Sequence, residues 1–146
     1  MHKFFKRRGS NAVEFALILP SLMFLLGVTV DYGWYFHNQI ELTNSAAVGA
    51  HAGAAVFAEG GDPVSAARAV TLDAWTATGL PNTPTVTVIR TGASPDEVVS
   101  VRAVVPFDPL VDIQSLVDAL PSFLGAGTVI PATNDHTAIY RLQNQF

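Results

Sequence analysis

The chain has 146 residues, one domain's worth and too short for two well-packed globular units, and it is 49% hydrophobic but only 14% charged. So little charge on so apolar a chain excludes intrinsic disorder, and a net charge of −4 argues against a nucleic-acid binder. The absence of cysteine removes disulfides, zinc-thiolate sites and thiol chemistry.

Charge is unevenly placed. Lys3, Lys6, Arg7 and Arg8 lie in the first eight positions with no acid among them, while the rest holds four basic and all twelve acidic residues, a net of −8. Behind this basic tip an apolar run extends from Phe15 to Val30, and counted from Ser10 the helix would measure about 31 Å, close to the hydrocarbon thickness of a bilayer. Glu14 intrudes near its start, Pro20 predicts a kink, and Asp31 ends it. The aromatic residues Tyr32, Trp34, Tyr35 and Phe36 then suit a membrane–water interface. The positive-inside rule places the basic tip in the cytoplasm and the chain after about Phe36 outside it.

A cleavable signal peptide has the same basic and apolar regions. However, no small-residue cleavage site stands at the end of the run, Val28-Thr29-Val30-Asp31. A plain signal anchor leaves Glu14 without a reason, because a carboxylate in a membrane helix is costly.

From Asn38 to Ala58 the pattern stays helical but small residues crowd in. Ala46, Ala50, Ala54 and Ala58 recur every fourth position, and Gly49 and Gly53 form a small-xxx-small pair beside them. Such a face permits close helix approach, either to the rest of the chain or to neighbouring subunits. A continuous helix from Ser10 to Ala58 would measure about 73 Å. Gly60-Gly61 break it, and Asp62-Pro63 predict an N-cap and first position for a helix to about Thr78, with Val64, Ala67, Val70, Ala74 and Trp75 on one face. Gly79 and Pro81 end that helix.

Residues 83–91 and 97–107 alternate apolar and polar around the turn-forming 92–96, which predicts a hairpin. Asp108 to Leu120 predicts a helix capped by Asp108, with Leu110, Val111, Leu116, Val117 and Leu120 apolar. It is broken by Pro121, Gly125 and Gly127. Thr133 to Leu142 predicts a last strand. The fold class is α+β: a long N-terminal transmembrane helix, then a small domain of a few antiparallel strands and short helices. The expected division is residues 1–9 a basic leader, 10–36 the transmembrane helix, 37–60 an extracytoplasmic Ala/Gly-rich extension and 61–146 the small outer domain.

Nothing in the sequence reads as a catalytic or cofactor site. His2, His37, His51 and His136 do not pair at helical spacing, and no nucleophile elbow or phosphate loop occurs. Asp135-His136 reads as a loop rather than half of a triad. Asp108, Asp112 and Asp118 do not match a calcium loop and read as solvated helix acids. No metal, cofactor or enzymatic activity is expected.

The string Lys6-Arg7-Arg8-Gly9, Ser10 to Val13, Glu14-Phe15 and the following apolar helix resembles the processing site of type IV-like prepilins, in particular the TadE-like pseudopilins of tight-adherence (Tad/Flp) pili. The stretch from Ala12 to Pro20, Leu42 to Ala47, and Val104 to Leu110 resemble the same family. The resemblance implies a minor pilin in the bacterial inner membrane, cut by a prepilin peptidase between Gly9 and Ser10. Glu14 and Phe15 would then be the fifth and sixth mature residues. It implies as partners other pilin and pseudopilin subunits, the inner-membrane pilus assembly machinery and the lipid bilayer. The helix-packing residues are Ala46, Gly49, Ala50, Gly53 and Ala54. The alternative from another class is an uncleaved single-pass membrane protein whose outer domain binds a ligand or anchors a secretion complex.

Overall fold

A computed structural model describes residues 6–92, 97–118 and 130–141. The elements in chain order are α1 (Lys6–Ala58), α2 (Pro63–Ala77), β1 (Thr85–Thr91), β2 (Val98–Pro106), α3 (Ile113–Asp118) and β3 (Thr133–Arg141). The architecture is α+β: a long apolar N-terminal helix followed by three antiparallel strands and short helices. The expected turn at 93–96, the helix end at 119–120, the breakers Pro121, Gly125 and Gly127, and Leu142 lie outside the described residues. So do the side chains of Leu116 and Val117.

Two compact units divide the chain: residues 1–34 with 109–130, and residues 35–108 with 131–146. Helix α1 contributes to both. At 53 residues it is about 80 Å long, and it continues through Pro20.

In the second unit the Ala-rich part of α1, helix α2 and the inner face of the sheet share one core. Leu42, Ala46 and Ala50 of α1, Ala67 and Trp75 of α2, and Val99, Val101, Ala103 and Val105 of β2 form a single buried cluster. The strand order is β1-β2-β3, with Val88 opposite Val101 and Arg102 opposite Thr137. The alternation predicted for β2 is observed, since Val99, Val101, Ala103 and Val105 are all buried.

Local chemistry sets the helix boundaries. Gly60 adopts φ +80°, a conformation that disfavours any side chain, and the Gly61 N–H donates to the Val56 carbonyl in a Schellman-type closure. Asp62 then caps α2 by accepting from the backbone N–H groups of Val64 (3.1 Å) and Ser65 (3.2 Å), with Pro63 at the first helical position. The buried stripe of α2 is Pro63, Ala67, Thr71 and Trp75. It shares Ala67 and Trp75 with the predicted face and adds Thr71; Val64, Val70 and Ala74 are half-buried at its margins.

Two expectations are corrected. The helix predicted from Asp108 begins at Ile113, so Leu110 and Val111 precede it and are exposed. Asp112, at φ +54°, caps the helix instead of Asp108: its Oδ1 accepts from the Ser115 backbone N–H at 3.3 Å. A non-glycine residue in the left-handed region cannot continue a right-handed helix, so the helix starts after it. Asp135 and His136 are not in a loop but within β3, opposite Val104 and Ala103.

Candidate functional site

The functional candidates cluster on α1. Gly9 and Ser10 lie in its first two turns. Glu14 and Phe15 follow on the same helix, and both are exposed. From Val13 to Val30 ten large apolar side chains are exposed, among them Leu17 at 74% and Leu25 at 60%. Each gains about 1.5–3 kcal/mol on leaving water, so together they match or exceed the whole stability of a typical small domain, about 5–15 kcal/mol. A belt of that size suits a non-aqueous surrounding. The helix is long and apolar enough to cross a membrane. Thr29, polar within the belt, donates its hydroxyl to the Leu25 carbonyl at 2.8 Å, which satisfies it inside the helix.

Immediately after the belt stands Asp31. Its side chain is fully buried, and its carboxylate accepts from the backbone N–H groups of Val111 (2.8 Å) and Ile113 (3.2 Å). One turn earlier, Gly27 is also buried. A Cβ on Gly27 would overlap the Ile113 side chain, with Ile113 Cγ1 at 3.2 Å and Val111 Cγ1 at 3.4 Å. Gly27 and Asp31 together thus form a seat for residues 111–113. Sequence reasoning treated Asp31 only as the end of an apolar run. The signal that could have marked it is glycine four residues ahead of an acid on one helix face.

The small-residue face is occupied from within the chain. Ala46 and Ala50 are fully buried, Gly49 and Gly53 are buried, and Ala54 is half-buried against the same core. A Cβ on Gly49 would collide with Thr71 Oγ1 and stand 2.7 Å from the Ala67 carbonyl oxygen. A Cβ on Gly53 would stand 2.7 Å from the Pro63 carbonyl oxygen and 2.9 Å from Ala67 Cβ. Thr71, which sequence reasoning missed, turns its hydroxyl to the Ala67 carbonyl at 2.7 Å and so presents no unsatisfied donor to α1.

Further contacts join α1 to the sheet. Tyr35 packs edge-to-face on Phe107, with ring centroids 5.3 Å apart, and Gln39 Nε2 donates to the Asp135 carbonyl at 3.1 Å. At the far end of α1 the Arg90 guanidinium lies 4.8 Å from the Phe57 ring centroid and pairs with Glu97. The Glu97 and Asp135 carboxyls are both held below the usual carboxylate range. The cause is the arginine bonded to each, Arg90 for Glu97 and Arg102 for Asp135. Asp135 Oδ1 accepts from Arg102 Nε at 3.1 Å.

Asp112 and Asp118 are separately engaged. Asp112 bonds Ser115, and Asp118 accepts from Gln114 Nε2 at 2.8 Å. Among the described residues, no group of three or more histidines and acids is gathered as a metal would need.

These features define a class: a protein with, among the described residues, one helix long and apolar enough to cross a membrane, whose extension forms part of the core of a small α+β domain. The family model described as TadE-like protein matches residues 9–51, from Gly9 through the belt and into the small-residue face. Over that stretch, less than half of its length, the chain is similar to TadE-like proteins. No curated protein and no solved structure matches the chain.

Proposed function

We propose that the protein is a minor pilin or pseudopilin of a tight-adherence pilus, a structural rather than an enzymatic component. It is made as a membrane precursor and trimmed by a prepilin peptidase between Gly9 and Ser10. The observation that carries this reading is the coincidence of the TadE-like match, which begins at Gly9, with an exposed apolar belt that begins at Val13. In this reading residues 10–36 cross the inner membrane, 37–60 extend the helix outside it and 61–146 complete an extracytoplasmic domain.

The residue roles follow from physical chemistry. Glycine before the cut lets a protease approach the backbone closely. Cleavage creates an α-amino group at the membrane edge, and Glu14 stands four residues on, about 6 Å along the helix. A carboxylate in the first turns is favoured by the helix dipole, and pairing with that amine, or with the amine of a neighbouring subunit, offsets its desolvation. The partners are then the peptidase, other pilin and pseudopilin subunits, the inner-membrane assembly machinery and the bilayer.

The test is the mature N-terminus, read by intact mass and N-terminal sequencing from cells with and without the peptidase. Ser10 is expected as the first residue, only when the peptidase is present. A product starting at Met1 in both strains, or after about Val30, overturns the reading. Retention of Met1 favours an uncleaved single-pass protein.

A further inference from the structure

We propose that Leu110 and Val111 form a second membrane contact, held on the C-terminal turn of the apolar belt and seated in the headgroup interface of the bilayer. The proposal rests on the reading of α1 as a membrane span, and it assigns a lipid-facing role to a segment far away in sequence.

Three observations converge. The first is depth. Val13 to Val30 covers about 27 Å of helix, so Asp31 stands at the edge of the hydrocarbon when α1 crosses a bilayer. The Val111 backbone N–H is bonded to Asp31 at 2.8 Å, which fixes this segment at the same level. Gly27 lies one turn, about 6 Å, further into the belt, and Ile113 and Val111 pack over it. The 111–113 segment therefore overlaps the last turn of the belt.

The second is exposure. Leu110 and Val111 are 62% and 50% exposed although both are apolar. At the same end of the belt, Leu26 and Val30 are 57% and 39% exposed. Lipid that covers the belt covers them too.

The third is the pairing of the buried carboxylate. Asp31 gives both oxygens to backbone N–H groups of this segment. A buried carboxylate at the hydrocarbon edge is costly unless it is hydrogen-bonded, so these two bonds hold the segment to α1. Asp112, between Val111 and Ile113, is exposed and bonds Ser115; its charge sets the segment at the headgroup level rather than in the hydrocarbon.

The cysteine-free chain allows a direct test. Full-length Leu110→Cys and Leu22→Cys proteins are labelled with an environment-sensitive fluorophore and reconstituted in phosphatidylethanolamine–phosphatidylglycerol vesicles. The vesicles carry nitroxide lipids at the headgroup or at mid-chain. Loss of the Leu110 signal to the headgroup nitroxide, and of the Leu22 signal to the mid-chain nitroxide, is expected. Gly27→Leu, which keeps α1 apolar but fills the Ile113 seat, is expected to abolish quenching at position 110 and leave position 22 unchanged. Mid-chain quenching at position 22 with none at position 110 overturns this proposal alone. No mid-chain quenching at position 22 removes the span and the proposal with it. Unchanged quenching at position 110 in Gly27→Leu overturns the docking on α1.

Discussion

Gly49 and Ala67 approach so closely that a Cβ added to Gly49 would stand 2.7 Å from the Ala67 carbonyl oxygen. Real Cβ atoms essentially never come that near, so helix α2 can lie where it does only because position 49 has no side chain. The small-residue face of α1 is therefore spent, at Gly49 and Gly53, on the chain's own second helix.

Gly49→Val and Gly53→Val are expected to destabilise the domain by roughly 1–3 kcal/mol each, the usual range for overpacking a tight contact. Denaturant unfolding of the purified chain in detergent, followed by tryptophan fluorescence, measures this. A face left open for other subunits would behave oppositely, because replacing a mid-helix glycine with alanine then adds about 1 kcal/mol of stability. A stabilising Gly49→Ala would thus contradict the packing described.

Trp75 is 2% exposed, and its indole N–H donates to the Asn82 carbonyl at 2.8 Å. Trp75→Ala is expected to cost about 3–5 kcal/mol. Trp75→Phe keeps most of the apolar volume but leaves that carbonyl without its donor, a loss of about 1–3 kcal/mol. Urea titrations of the two variants should rank them in that order; equal losses would mean that the indole hydrogen bond decides the site.

Asp135 and Glu97 titrate below their ordinary range because Arg102 and Arg90 bond their charged forms, and Asp62 does so through Ser65 and the Val64 backbone. A depressed folded-state pKa stabilises above the unfolded value, about 3.9 for Asp and 4.3 for Glu, and that stability is lost as pH falls through the folded value. The melting temperature should therefore change little through these groups between neutrality and about pH 5, then fall as the pH drops below about 4. Asp135→Asn should flatten part of the acid slope. Both partners are solvent-exposed and screened, so the effect at pH 7 is small. An unaltered slope in Asp135→Asn would show that the Arg102 pair makes no contribution.

Glu14→Gln keeps the shape of the side chain but removes the charge assigned to pairing with the new amine. The variant is expected in the membrane fraction at normal level, with assembled pili lost from the sheared fraction. Normal piliation would remove that role from the carboxylate.

Local pattern made much of the fold legible. The belt, the Asp62-Pro63 helix start, the glycine at the end of α1 and the β1–β2 alternation all depend on residues within a few positions of one another. Where sequence reasoning strayed, a tertiary partner or a special backbone angle had intervened. Leu110 and Val111 have helical spacing with the residues that follow, but Asp31 holds the backbone N–H groups of Val111 and Ile113, and Asp112 adopts φ +54°. Asp135-His136 looked polar enough for a loop, but Asp135 faces the exposed side of the sheet and meets Arg102 there. The proposed cleavage between Gly9 and Ser10 rests on resemblance, because such chemistry would require a partner outside the chain.

By itself the sequence determined a long apolar helix, a small α+β domain after it, and a charge asymmetry at its tip. These follow from hydropathy and periodicity, which are properties of neighbouring residues. Only the tertiary structure decided what the small-residue face touches and what Asp31 does. Gly49 meets α2 because the chain reverses at Gly60, and Asp31 binds backbone groups 80 and 82 residues away. A buried carboxylate must find donors, but which donors reach it is set by how distant segments pack, and no local spacing encodes that.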